Sequence, residues 1–153
     1  MHISAKVDYA VRALLVLAAA DPSGPPVSVT SIAEAQGVPR KFLEQILLDL
    51  RHAGLVESRR GNAGGYLLSR PAATISLADV VRAVDGPLAE VRGLRPERAA
   101  YEGAARNLQD VWIAVRASLR AVLEPVTLAD VVAGTLPATA GGFAADPEAW
   151  ASH

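Results

Sequence analysis

The chain contains no cysteine, which excludes disulfides, thiolate nucleophiles and thiolate-bound metals together. Aromatic residues are scarce, 5 % of 153, so the core has to be assembled from Ala, Leu and Val. No apolar run reaches the roughly eighteen residues that a membrane-spanning helix needs, and no membrane partner is expected. The apolar opening stretch "MHISAKVDYAVRALLVLAAA" is interrupted by Lys6, Asp8 and Arg12 at helical spacing. It reads as an amphipathic first helix rather than a signal peptide, which makes the cytoplasm the expected compartment. Strong net charge is also missing: the balance is −1, which on its face argues against a polyanionic partner.

The distribution of charge reverses that argument. Between residues 40 and 70 stand Arg40, Lys41, Arg51, Arg59, Arg60 and Arg70 against Glu44, Asp49 and Glu57, while the remainder is net acidic. A basic segment inside an acidic chain marks a local anion-binding face. With 51 % apolar and 20 % charged residues, the chain is long enough for one domain with its own core plus an appended element.

Val7, Ala10, Val11, Leu14, Leu15 and Ala18 define one apolar face of a helix over residues 3–20. "DPSGPP" ends it. After a short "VSV", the segment "TSIAEAQGV" reads as a brief helix with Ser28 or Thr30 as N-cap, closed by Gly37. Pro39 is then expected at the first position of "PRKFLEQILLDLRHAGL", whose buried stripe is Leu43, Ile46, Leu47 and Leu50. "LVESRR" and "GYLLSR", joined by "GNAG", form a β-hairpin ended by Pro71. "SLADVVRAVDG" is a compact helix opened by Ser76 and Asp79. Residues 87–104 read as loop, and a longer helix from about Asn107 to Leu123 carries Leu108, Val111, Trp112, Val115, Leu119 and Val122 on one side. "TLADVVAG" adds a last short helix.

Helix, glycine turn, helix and basic hairpin is the order of a winged helix-turn-helix. The fold expected is therefore mainly α with a small β-hairpin wing, plus a long C-terminal helix for dimerisation. The second helix of the motif fits the major groove and can present Arg40, Lys41, Glu44 and Gln45 to phosphates and base edges. Gly61, Gly64 and Gly65 let the wing turn and approach a duplex closely, with Arg59 and Arg60 as its charges. A nucleotide-phosphate loop is the rival for these glycines. It would run into a helix with Lys-Ser/Thr following, whereas here the glycines run into Tyr66-Leu67-Leu68.

"FLEQILLDLRHAGLVESRRGNAGGYLLSRP" strongly resembles the Rrf family of bacterial winged-helix regulators. The resemblance extends to "ISAKVDYAVRALLVLA", to "ISLADVVRAVDG" and on to "VTLADVV", so it spans nearly all of residues 1–136. It implies a homodimeric, sequence-specific transcription factor on a pseudo-palindromic double-stranded DNA operator. Ser28, Arg40, Lys41, Glu44, Gln45, Arg51, Arg59, Arg60, Gly61, Asn62, Gly64, Gly65 and Tyr66 are its expected DNA-binding residues. Of these, Arg40, Lys41, Arg51 and Arg59 would fix register on phosphates, and Glu44, Gln45 and Arg60 would read sequence.

Several members of that family carry an iron–sulfur cluster on cysteines in the loop before the long helix. The corresponding loop here, "GPLAEVRGLRPERAAYEGAARN", holds neither Cys nor His. Asp8 sits where some relatives place an oxygen ligand, but a carboxylate without thiolates or imidazoles cannot hold a cluster. His2, His52 and His153 are scattered and supply no ligand set, so no cofactor and no metal site are expected. Asp49, which would oppose nearby phosphates, is expected to pair with Arg51 or Arg12.

The organisation expected is a DNA-binding domain over 1–86, an effector-loop equivalent over 87–106, a dimerisation helix and short terminal helix over 107–136, and a disordered tail over 137–153. The loop admits two readings. It is a solvated charged segment, or a small-molecule or partner-protein site formed with Tyr101 and Trp112. The function expected is a dimeric regulator, a repressor, with an interaction adaptor that has lost DNA affinity as the alternative. No Ser-His-Asp, metal-ligand or paired-carboxylate arrangement suggests an enzyme.

Overall fold

A computed structural model describes residues 2–152, so His153 lies outside it. Helix α1 (Ala5–Ala19) starts where the Ser4 side chain accepts from the Val7 N–H. It buries Val7, Ala10, Ala13, Leu14 and Leu17, a stripe at the helical period. Helix α2 (Val29–Gln36) is capped by Ser28, whose Oγ accepts from the Ser31 N–H, and ends at Gly37 in the left-handed conformation. Helix α3 (Arg40–His52) follows after Gly37, Val38 and Pro39. Pro39 occupies its N-cap rather than the expected first helical position. The proline carbonyl accepts from the Leu43 N–H at 3.1 Å, so its missing N–H still costs nothing there.

Strands β1 (Val56–Arg59) and β2 (Gly65–Leu68) pair antiparallel, Val56 opposite Leu68 and Arg59 opposite Gly65. The "VSV" segment joins them: Val27 and Tyr66 exchange both backbone hydrogen bonds, at 3.0 and 2.8 Å. That pairing sets the hairpin against the entrance to α2. Helices α4 (Leu77–Val84) and α6 (Leu128–Ala133) each open with a capping box, Ser76 with Asp79 and Thr127 with Asp130. The two box residues Ser76 and Thr127 face each other in an antiparallel bridge, so the same local device seats both helices on the core. α1, α3, α4 and the residues Ile75 and Leu128 share one continuous hydrophobic cluster.

Helix α5 (Leu108–Leu123) stands apart from that cluster, with no fully buried residue along its length. The segment before it is more ordered than a loop: two short 3-10 turns at Pro96–Arg98 and Gly103–Ala105 fold it. Pro96 and Ala99 are buried, and the Pro96 carbonyl accepts from the Gln109 side chain at 3.2 Å. The expectation of a disordered tail is corrected. Residues Ala138–Ala145 form helix α7 and Pro147–Trp150 a 3-10 turn. Alanine's high helix propensity outweighs the Gly141-Gly142 pair, Ala140 is buried, and the Trp150 indole N–H donates to the Ala144 carbonyl at 2.8 Å.

Candidate nucleic-acid interface

Because Leu43, Ile46, Leu47 and Leu50 are buried, the opposite crest of α3 is fixed by the helical period. It carries Lys41, Gln45, Leu48 and His52 at i, i+4, i+7 and i+11. Lys41, Gln45 and His52 are exposed and Leu48 is half-buried. On one flank, Arg40 Nε donates to Glu44 Oε1 at 2.9 Å, so the two side chains hold each other along the surface. Arg51 Nη1 reaches Ser58 Oγ on β1 at 3.2 Å and ties the end of α3 to the hairpin.

The other flank holds a chain of polar contacts. Gln45 Nε2 donates to Asp49 Oδ1 at 3.1 Å, and Lys6 Nζ lies 2.9 Å from Asp49 Oδ2. Lys6 also donates to the Val84 carbonyl at 2.7 Å, so α1, α3 and α4 meet at one ammonium. The expected pairing of Asp49 with Arg51 or Arg12 is therefore corrected: its partner is Lys6. Arg12 is engaged by Asp8 at 3.1 Å and by Gln36. The Lys6 hydrogen bond is the main cause holding the Asp49 carboxyl below the ordinary aspartate range; partial desolvation opposes it and Gln45 adds to it. An ionised carboxylate can only accept, so the Gln45 amide must turn its nitrogen toward Asp49.

At the hairpin tip, Arg59, Arg60, Gly61 and Asn62 are all exposed. Arg59 lies 3.7 Å from Glu57, a loose pair, and Lys41 and Arg60 carry no ion pair among the described residues. Gly61 has φ of 112°, outside the range that side-chain-bearing residues adopt readily. A Cβ on Gly64 would stand 2.4 Å from the Arg59 carbonyl oxygen, and one on Gly65 2.3 Å from that of Val27. The wing is thus compact because two of its positions have no room for a side chain. Tyr66 is half-buried against the core, and Ser28 spends its hydroxyl on capping α2. Both brace the wing. Phe42, 65 % exposed, is an apolar group on α3 that the sequence pattern did not single out. Its position off the buried stripe was the available signal.

The expected dimerisation residues fall on one side of α5. Val111 is exposed, while Leu108, Trp112, Val115, Leu119 and Val122 are half-buried. Val115, Leu119 and Val122 line an apolar cleft of about 700 Å³ with Val7 and Val11 of α1 and Phe143 of α7. The Trp112 indole nitrogen is enclosed without a hydrogen-bond partner among the described residues. Tyr101 packs beneath Arg92, whose guanidinium lies 5.6 Å from the ring centroid.

The chain matches a family model over residues 3–134, that of Rrf2, described as an iron-dependent transcriptional regulator. It is 53 % identical over 137 residues to Rv1287 of Mycobacterium tuberculosis, assigned as an HTH-type transcriptional regulator, covering 90 % of this chain and 84 % of that one. Among solved structures, CymR, the global cysteine regulator of B. subtilis, superposes with a TM-score of 0.72 at 33 % identity, covering 88 % of this chain and 98 % of that one. IscR of T. potens gives 0.71 at 33 % identity, covering 100 % and 93 %. The residues of this chain do not fit the iron of the family description. There is no cysteine, and among the described residues no three His, Asp or Glu side chains gather in ligating range. The Asp8 carboxylate is taken by Arg12.

Proposed function

The chain belongs to the Rrf2 family of transcriptional regulators, DNA-binding proteins rather than enzymes, and on that premise we propose that it is a homodimeric repressor of a pseudo-palindromic operator. The observation that carries the reading is the shared exposure of the α3 crest and the wing arginines, joined by the Arg51–Ser58 contact. Arg40, Lys41, Arg51 and Arg59 contact phosphates and set the register. Gln45, held by Asp49, retains its carbonyl oxygen and one N–H for a base edge, the pair that suits adenine N6 and N7. Leu48 and Phe42 supply apolar contact of the kind a thymine methyl accepts. Arg60, unpaired at the tip, enters the minor groove beside them.

The second copy covers the apolar side of α5. A helix with Leu, Val and Trp along one side and none of them fully buried is stabilised by a twin that removes that side from water. A two-fold interface of this kind spaces the two reading heads for half-sites about ten base pairs apart. Repression is by occupancy of promoter DNA and involves no bond making. It responds to a small molecule or a partner protein rather than to a cluster.

The test is fluorescence anisotropy on the duplex upstream of the chain's own gene, beside a scrambled duplex, over a salt series. The expected result is preference for the native duplex with affinity falling steeply as salt rises. Replacing Arg60 by alanine weakens that binding by about 1–3 kcal/mol. Equal, salt-insensitive binding to both duplexes contradicts the reading.

A further inference from the structure

A cavity of about 480 Å³ lies where the end of α4 meets α5. Arg82, Arg95, Arg116, Arg120 and Glu97 line it together with residues 86–89. Four guanidiniums around one space repel each other, and two carboxylates relieve part of that repulsion. Glu124 accepts from Arg82 and from Arg120 on the same oxygen, and Glu97 accepts from Arg116. Arg95 has no carboxylate partner among the described residues and is exposed. Four positive charges against two negative ones leave a surplus of two at the cavity. The bonds from Arg120 and Arg82 keep Glu124 ionised well below neutrality, and Glu97 is held down by its own backbone hydrogen bond and by Arg116. Both carboxylates are therefore ionised at neutral pH, and the surplus of two positive charges persists.

A closed network of surface ion pairs would balance its charges; this one does not. Each paired guanidinium spends part of its donor fork on a carboxylate and keeps the rest, and a concave site of one sign concentrates counter-ions. We propose that this cavity binds a compact multivalent oxyanion, a phosphate-type or polycarboxylate small molecule, with Arg95 as its unshared anchor. The site deepens the effector reading of the preceding section and rests on that reading only for its consequence on DNA. Arg116 and Arg120 stand about a third of a turn around α5 from Val115 and Leu119. One helix thus carries the wall of the cavity on one side and the apolar dimerisation side on the other.

The experiment is a thermal-shift and calorimetric titration of the full chain with inorganic pyrophosphate and with citrate, against acetate at matched ionic strength. The expected result is a saturable rise in Tm with pyrophosphate or citrate, at one site per chain, because a ligand that prefers the folded state stabilises it. Arg95→Ala weakens that binding at least tenfold while leaving the unliganded Tm unchanged, and Arg60→Ala leaves it intact. Pyrophosphate alone identifies a phosphate-type ligand; citrate alone identifies a polycarboxylate. Absence of a shift with both overturns the site, as does a shift that survives Arg95→Ala and Arg116→Gln. Anisotropy on the same preparations separates the two readings. Anion binding without duplex binding removes the DNA reading and keeps the site. Duplex binding with neither anion bound removes the site and keeps the DNA reading.

Discussion

Helices α3 and α5 are both amphipathic, and the chain treats them differently. α3 buries Leu43, Ile46, Leu47 and Leu50 within its own domain, each at 2 % exposure or less, so its polar crest is held rigidly toward solvent. α5 carries an equally continuous apolar side but no fully buried residue, and Val111 on it is 51 % exposed. The chain covers the apolar side of α3 completely and that of α5 only in part. On the proposed reading, this difference separates a DNA-reading helix that one copy completes from an assembly helix that needs a second copy.

The largest effect should come from charging the unfinished side. Leu119→Glu places a carboxylate in the apolar cleft of α5. It is expected to convert a dimer to a monomer and weaken operator binding by roughly a hundredfold or more, since each half-site then binds alone. Sedimentation velocity and anisotropy check this. A dimer that survives the substitution would show that this side of α5 is not the assembly surface.

The complementary change sits in the finished half. Leu14→Ala removes a fully buried side chain from α1 and is expected to cost about 2–5 kcal/mol in chemical denaturation. Val111→Ala is expected to leave monomer stability within about 0.5 kcal/mol. Similar costs at the two positions would show that α5 is buried in one copy after all.

The smallest effect is expected at Asp49. Its carboxyl is held below the ordinary aspartate range, so the Lys6 pair stabilises the fold above the unfolded value, and that contribution is lost as pH falls through the folded one. Both side chains are partly exposed, 40 % for Lys6 and 25 % for Asp49, which limits Asp49→Asn to under about 1 kcal/mol near neutrality. Melting curves over an acid series should show the gap to wild type closing at low pH. The same variant leaves one acceptor oxygen for Lys6 and Gln45 to share, which loosens the hold on the Gln45 amide, so discrimination at one base position should relax while overall affinity changes little. An unchanged specificity in Asp49→Asn would place base reading on Arg60 and Glu44 instead of Gln45.

What was legible in the sequence follows from the range of the forces involved. The stripe of α3, the Ser28 cap, the Ser76–Asp79 box and the glycine hairpin are local patterns, and the structure reproduces them. The partner of Asp49 was not legible, because Lys6 lies on another helix and two arginines were nearer in sequence. Helix α7 was missed for a different reason: its apolar residues lack a one-sided period, so alanine propensity alone carried the signal. In the segment 87–106 the sequence showed the charges but not which of them converge. Only the packing against α5 brings Arg95 beside Arg116 and Arg120.

Sequence-specific binding is decided most cleanly by selecting sites from a random duplex pool with the full chain at physiological salt. The expected result is enrichment of a two-fold symmetric motif with half-sites about one helical turn apart, and weaker enrichment with Arg60→Ala. Failure to enrich any sequence, or enrichment of an unpaired half-site by a protein that sediments as a monomer, would contradict it.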